Sequence, residues 1–296
     1  MSVEPGSNLK ATAKILVDAG VLESVEPFSG WARITGQDRS IKSGEYVFIL
    51  PMTPLGVLSE LSKGQFPYFA ITIPEGKTFR DIALTLETQG IGSKEQILAL
   101  GTNEAFLSRW NLSELGPEGY LYPDTYFVTQ QSSPDSFLGR MLDRSGHVFT
   151  VAMELQAKKM GFTKHEILTI ASLIEKEAAV ANERPLIASV FLNRLHLNMP
   201  LQCDPTVVYG IADFDGPITR AHLRTATPYN TYLFTGLPPG PIANPGLDSI
   251  TASLNPAKTD YLYFVARGDG THVFSSRLAD HNRAVRQYRK FRARNG

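Results

Sequence analysis

The chain has 296 residues, 43% of them hydrophobic, and its 29 basic and 29 acidic side chains leave no formal net charge. That length accommodates two domains and that composition an ordinary packed core. The balanced charge argues against a nucleic-acid binder, which needs an excess of Lys and Arg for phosphate contacts. The single cysteine, Cys203, excludes an internal disulfide. No apolar run reaches the ~18 residues that mark a membrane span, and "MSVEPGSNLK" has neither the basic nor the apolar region of a signal peptide.

In chain order, the first third contains an internal repeat. "VEPGSNLKATAKILVDAGV" and "TIPEGKTFRDIALTLETQGI" superpose at an offset of seventy residues, matching Gly6 with Gly76, Ala13 with Ala83, Leu16 with Leu86 and Gly20 with Gly90. Each copy predicts a short strand, a Pro/Gly turn and an amphipathic helix closed by a C′ glycine. "SGEYVFILP" and "PYFAITIPEG" alternate as strands do. The pattern of small α+β units resembles LysM-like carbohydrate-binding modules. Residues 93 to 157 read as mostly helical, interrupted by "EGYLYPDTYFV", whose aromatics alternate as in an extended strand.

From Thr163 a capping box, "TKHE", opens a helix expected to run to about Ala181. A second helix enters near Asn182, with Pro185 in its first turn. Pro/Gly-rich loops follow Met199, including "QCDPTVVYG" and "TPYNTYLFTGLPPGPIANPG". A short helix is expected over 248–254, and "YLYFVARGDGTHVFS" predicts a hairpin around Gly-Asp-Gly. The basic run from Arg283 reads as a solvated terminal helix.

The run "ASLIEKEAAV" holds two glutamates in an apolar helix. With Ile170 at zero on a wheel of roughly 100° per residue, the apolar arc centres near +35°. Glu177 falls at about −20°, inside that arc, and Glu175 at about +140°, on its polar edge. Glu175 is therefore expected to face solvent. A carboxylate aimed at an apolar surface must be paired, hydrogen-bonded or protonated. Two readings of Glu177 stand on the wheel alone: a buried ion pair to Arg184 or Arg194, or a proton donor whose pKa is raised by burial.

Other chemistry finds less support. The sequence contains no HExxH, paired CxxC, Walker loop or GxSxG. His196, His222, His272 and His281 lack metal-ligand spacing, "IADFDG" reads as a turn, and Cys203 reads as an inert thiol. After the Glu177 helix come Asn193, Arg194, Gln202, Asp204, Thr206, Tyr209, Asn230, Thr231 and Tyr232. Amide, hydroxyl and aromatic groups together suit a sugar, although Asp204 and Asn230 also fit local turn capping.

"EGYLYPDTY", "IASLIEKEAAVANERPLIASVFLNRL", "LQCDPTVVYG", "TPYNTYLFTGLPPGPIANPG", "NPAKTDYLYFVA" and "HNRAV" occur in this order. Together they resemble the YceG-like family of endolytic murein transglycosylases. The likeness is close over about 115–290 and loose, through the LysM-like pattern, over the first third. It implies an α+β protein with LysM-like units over 1–92 and a mainly helical, lysozyme-like catalytic domain over 93–296 that carries the hairpin. It also implies an enzyme on the periplasmic face of the inner membrane that cleaves nascent glycan strands internally. The family's N-terminal membrane anchor is absent from this sequence and is expected to have been trimmed.

By the same resemblance Glu177 is the catalytic acid and then base. Asn193, Gln202, Asp204, Thr206, Tyr209, Asn230 and Tyr232 would hold the substrate. No metal or cofactor is implied. The partners are peptidoglycan strands and cell-wall synthesis or division proteins. Where lytic transglycosylases generally follow the acid with Ser or Thr, this chain has Ala178. The neighbouring readings are a muramidase that uses water and a non-catalytic glycan-binding module.

Overall fold

The protein is described here by a computed structural model covering residues 2–3, 7–42, 44–46, 48, 51–64, 69–129, 132–211 and 214–295. It divides into two compact units, one of Met1–Ile71 with Tyr126–Ser132 and one of Thr72–Thr125 with Ser133–Gly296.

The first unit begins with β1 (Ser2–Val3), α1 (Leu9–Asp18), α2 (Val25–Ile34), β2 (Gly44–Glu45) and α3 (Pro54–Lys63), and β1 pairs antiparallel with β2. Side chains start its helices. Asn8 accepts the Ala11 N–H at 2.9 Å to cap α1, and Thr53 accepts the Gly56 N–H at 3.1 Å to cap α3 just before Pro54. Leu16, Phe28, Leu58 and Leu61 are fully buried in its core. Of the expected strand "SGEYVFILP", only Gly44–Glu45 is paired among the described residues; Ser43, Val47, Ile49 and Leu50 lie outside them. The first residues of "PYFAITIPEG", Pro67 and Tyr68, lie outside them too.

The repeat is visible in the backbone. β3 (Phe69–Thr72) precedes α4 (Phe79–Thr88), and α1 and α4 are each 10 residues long. Both helices end on a left-handed glycine, Gly20 at φ +71° and Gly90 at φ +77°. In both, the next N–H reaches back five residues at 2.9 Å, Val21 to Leu16 and Ile91 to Leu86. After α4 come α5 (Lys94–Leu100), α6 (Glu104–Arg109) and β4 (Thr125–Val128), which pairs with β3. Each copy thus has strand, helices and strand, with the outer strands paired. The strand expected in "EGYLYPDTYFV" is confined to Thr125–Val128; Tyr120 sits in a turn, its N–H bonded to the Pro117 carbonyl at 3.0 Å.

The second unit continues with α7 (Pro134–Val148), α8 (Val151–Lys159), α9 (Lys164–Glu177), a 3-10 turn (Ala181–Glu183), α10 (Arg184–His196), α11 (Asp204–Gly210) and α12 (Leu247–Leu254). The hairpin of β5 (Tyr263–Ala266) and β6 (His272–Ser275) and the terminal helix α13 (Leu278–Asn295) complete it. Two expectations are corrected. "QCDPTVVYG" is not a loop: Pro205 falls in the first turn of α11, where a missing N–H costs nothing. And α9 stops at Glu177 rather than near Ala181, because Ala178 adopts an extended ψ of 111°.

Helix α9 begins with the expected capping box, in which Thr163 and Glu166 satisfy each other's backbone N–H groups. Every residue from Ile167 to Ile174 is buried. Ile170, Leu173 and Ile174 pack with Ile187 and Phe191 on one side, and Ile167, Leu168 and Ala171 with Phe149, Ile250 and Leu254 on another. Its polar residues are bonded internally, Thr169 to the His165 carbonyl and Ser172 between the Thr169 carbonyl and the Ile242 N–H. Over Ile167–Ile174 the helix is apolar or internally bonded all round, as a core helix is, and its exposed residue is Lys176 near the C-terminus.

A second buried carboxyl, Glu118, ties α4, α11 and the chain near Asn244 together. Both of its oxygens accept the Phe79 N–H at 3.0 Å, at the start of α4; one accepts Asn244 Nδ2 at 2.9 Å and the other the Tyr209 hydroxyl at 3.2 Å. Burial outweighs these donors and pushes its pKa up to about 7. Between the unfolded value of ~4.3 and the folded value, the native state holds a proton that the unfolded chain has lost. Its contribution to stability is therefore full below pH ~4.3 and is lost, by on the order of 3 kcal/mol, as pH rises to about 7. Glu118→Gln mimics the protonated acid, with its amide turned toward the Tyr209 hydroxyl. Urea unfolding of this variant is expected to lose that fall between pH 5 and 8. Glu118→Ala leaves three donors unpaired and is expected to cost at least about 3 kcal/mol at either pH.

Candidate active site

The C-terminal end of α9 opens on a cavity of about 320 Å³ walled by α9, α10, the start of α11 and the β5–β6 hairpin. Glu177, the last residue of α9, lines it together with Arg194, Gln202, Cys203, Asp204, Tyr232 and His272. Phe191 and Phe264 supply apolar wall.

Glu177 has no cationic partner among the described residues. Among the described residues its hydrogen-bond partner is the Cys203 thiol, which donates from Sγ to Oε1 at 3.2 Å. Burial raises its pKa above the usual carboxylate range, the thiol bond opposes that, the Asp204 charge adds to the rise and His272 opposes it. The negative end of the α9 dipole also disfavours a carboxylate there. Cys203 is itself buried, and burial next to Glu177 pushes its pKa well up, so it stays a thiol and donates. With Oε1 occupied by the thiol, the acid proton belongs on Oε2.

Glu175, two residues earlier, is not the solvent charge expected from the wheel. Its side chain is 7% exposed, lies 3.5 Å from Arg184 Nη2, and accepts the Gly246 N–H at 3.0 Å. The wheel misjudged it because Arg184 at the start of α10 and Gly246 just before α12 cover that edge of α9. Arg184, one of the two arginines considered as a partner for Glu177, is thus paired to Glu175. The other, Arg194, is 7% exposed and gives its donors to carbonyls instead, of Leu262 at 2.6 Å, Leu201 at 2.9 Å and Pro200 at 3.1 Å. It also reaches Gln202 Oε1 at 3.3 Å and lies over the Tyr263 ring at 5.1 Å.

Of the residues expected to hold substrate, Gln202, Asp204 and Tyr232 line the cavity with Glu177. Gln202 has a left-handed φ of +52°, and its N–H bonds to the Thr231 carbonyl. The Tyr232 hydroxyl donates to Asp204 at 2.5 Å, and burial with that carboxylate pushes its pKa upward. The remaining four spend their polar atoms on the protein. Asn193 donates to the carbonyls of Thr259 and Tyr261, Thr206 bonds the Cys203 carbonyl and Thr231, Tyr209 bonds Glu118, and Asn230 holds the carbonyls of Leu223 and Thr225. They shape the loops behind the cavity rather than its surface. Sequence reasoning passed over Cys203 as inert and did not connect His272 with Glu177, which stands ninety-five positions earlier. The placement of His272 at the start of a predicted hairpin strand was legible; its meeting with the end of α9 was not.

A sequence model of the YceG-like family matches residues 1–287. The chain is 36% identical to the endolytic murein transglycosylase of Bacillus subtilis, over 97% of this chain and 84% of that protein. It is 33% identical to the protein of the same name from Streptococcus pneumoniae, of which it spans 58%. A crystal structure of a YceG-like protein from Listeria monocytogenes superposes with a TM-score of 0.68 at 31% identity, covering 95% of this chain and 97% of that one. With a family match along nearly its whole length and an α+β structural relative to go with it, this chain belongs to the YceG-like family.

Proposed function

We infer that the protein is an endolytic lytic transglycosylase of peptidoglycan that cleaves the bond between N-acetylmuramic acid and N-acetylglucosamine. One observation carries the reading: a glutamate with a raised pKa, unpaired by any cation among the described residues, at the cavity end of a buried helix. Relatives named endolytic murein transglycosylase support the substrate class.

Glu177 donates its Oε2 proton to the glycosidic oxygen as the C1–O bond breaks. The Glu177 carboxylate so formed then takes the proton of the muramic C6 hydroxyl as the C6 oxygen closes on C1 to give a 1,6-anhydro end. Because this nucleophile belongs to the substrate, no second carboxylate is required at the spacing that most glycosidases use. Gln202, Asp204 and Tyr232 offer an amide, a carboxylate and a phenol to the sugar's acetamido and hydroxyl groups, and Phe191 and Phe264 bound the cavity with apolar surface. Ala178 offers no hydroxyl beside the acid; the Cys203 thiol is the group that bonds it here.

Residues 1–92 are proposed as a LysM-like glycan-binding region and 93–296 as a lysozyme-like catalytic domain. The proposed workplace is the cell envelope, at the periplasmic face of the inner membrane, with cell-wall synthesis or division proteins as companions.

Mass spectrometry of digested peptidoglycan is expected to find anhydro-muramic ends; reducing ends carrying an added water would replace this reading with a muramidase. Glu177→Gln is expected to lower turnover by at least about 10²–10³-fold with the fold intact; full turnover in that variant would remove Glu177 as the acid, and no product from the wild type would leave a non-catalytic binding module. Glu175→Gln, run in parallel, is expected to lower stability by about 1–3 kcal/mol through the loss of its ion pair while turnover persists.

The Cys203 thiol favours the Glu177 carboxylate, so Cys203→Ala raises the Glu177 pKa further. Activity depends on the protonated acid and falls as pH rises through that pKa. The high-pH limb of kcat in Cys203→Ala is therefore expected to move to higher pH than in the wild type.

A further inference from the structure

His272, which lines the cavity with Glu177, belongs to a carboxylate–imidazole pair that the single-glutamate mechanism does not use. Glu183, in the 3-10 turn before α10, is buried. Its Oε2 lies 2.7 Å from Nδ1 of His272, and its Oε1 accepts the His272 backbone N–H at 2.9 Å. The carboxylate therefore grips both the ring and the strand that carries it. Phe264 meets the imidazole edge-on at 90° with centroids 5.4 Å apart, and Phe274 lies at 6.3 Å. A ring held by a hydrogen bond at Nδ1 and two aromatic neighbours, on a backbone bonded to the same carboxylate, has little freedom to turn.

An ionised carboxylate only accepts, so Nδ1 carries the proton and Nε2 of the neutral ring is left as an acceptor. Nε2 has no hydrogen-bond partner among the described residues, and the ring lines the cavity with Glu177. Once protonated, His272 is near enough for its charge to act on the Glu177 carboxyl. The other charged or titratable groups at this cavity are engaged elsewhere. Arg194 on α10 is bonded to carbonyls, Cys203 at the start of α11 to Glu177, and Tyr232 to Asp204. His281 on α13 stacks on Tyr263, burial and Arg194 lower its pKa, and its Nδ1 has no partner to set a tautomer.

We propose that His272, oriented by Glu183, is a second catalytic residue that takes the proton of the muramic C6 hydroxyl while Glu177 serves as the acid. This rests on the transglycosylase reading above. As the glycosidic C1–O4 bond breaks, Glu177 Oε2 gives its proton to O4, which leaves as the N-acetylglucosamine hydroxyl. The C6 oxygen bonds to C1, its proton passes to His272 Nε2, and the imidazolium is stabilised by Glu183. Return of that proton to the Glu177 carboxylate, directly or through solvent, restores both groups, and no water enters the products. Glu183 is a positioning residue. In Glu183→Gln the amide donates to Nδ1 while its oxygen keeps the backbone N–H, so the proton moves to Nε2 and the base is lost.

The test measures anhydro-end formation from uncrosslinked peptidoglycan strands across pH, for the full chain and its variants, with melting curves to check folding. A mechanism needing one protonated and one unprotonated group gives a bell-shaped kcat profile whose limbs belong to the pair. The wild type is expected to be bell-shaped. His272→Gln, of similar shape and still able to donate to Glu183, is expected to lose about 10²–10³-fold in kcat with little change in KM. It should retain only a limb that falls with rising pH. Glu183→Gln is expected to lose a comparable factor, and the double variant no more than the larger single loss, because the two act as one unit. A wild-type profile with a single falling limb, an unchanged bell in His272→Gln, or wild-type kcat in Glu183→Gln each overturns the proposal. Should His272→Gln melt early, Glu183→Gln and the wild-type profile decide. Loss of the His272 role with anhydro ends still formed and still dependent on Glu177 leaves the transglycosylase reading standing; absence of anhydro ends from the wild type removes both.

Discussion

The fold of the second unit is organised around one costly arrangement: helix α9 is buried from Ile167 to Ile174 and carries two carboxylates in its last turn, at the end where the helix dipole is negative. Burying an unpaired carboxylate costs several kcal/mol, so each must be satisfied or must keep its proton. The two glutamates take different routes. Glu175 receives Arg184 from the next helix and the Gly246 N–H from the start of α12. Its charge is compensated, and it joins three helices at their ends. Among the described residues Glu177 receives only a thiol, and that thiol is held neutral by its own burial. The two positions differ in what is packed against them, and that sets one as a brace and the other as an acid.

Arg194 shows the same principle with the opposite sign. It is a buried cation beside a cavity with a carboxyl in it, yet its donors go to backbone carbonyls of the chain between α10 and α11 and of the segment leading to the hairpin. Those bonds hold two walls of the cavity at a fixed separation. They also keep the guanidinium from pairing with Glu177, which would lower the pKa of the acid and remove its proton near neutral pH.

What could be read from sequence was what local chemistry decides. Thr163 with Glu166 announced the start of α9, Gly20 and Gly90 the ends of the repeated helices, and Gly-Asp-Gly the hairpin. Each depends on residues within a few positions of one another. The end of α9 was missed because Ala178 carries no stop signal; the chain turns there to bring the 3-10 turn and Glu183 toward the hairpin. α11 was missed because Pro205 reads as a loop residue unless its first-turn position is known. Glu177 was legible as a carboxylate on an apolar face. The error on Glu175 came from assuming that the polar edge of a helix is wet. Glu183 with His272, and Glu118 with Tyr209 and Asn244, join residues eighty-nine to one hundred and twenty-six positions apart. No periodicity encodes such pairs.

Glu118 and the cavity are linked through α11. That helix starts at the cavity with Asp204, directly after Cys203, and near its other end Tyr209 donates to Glu118. Glu118 in turn holds the N-terminus of α4 and the Asn244 side chain, which also bonds the Leu121 N–H and the Lys77 carbonyl. The placement of the thiol against Glu177 thus depends on a helix of seven residues anchored at its far end by a second buried carboxyl. A helix that short is not stable alone and takes its position from its anchors. The candidate acid and the remote Glu118 are therefore the two ends of one structural unit, and each is a carboxyl whose pKa burial has raised.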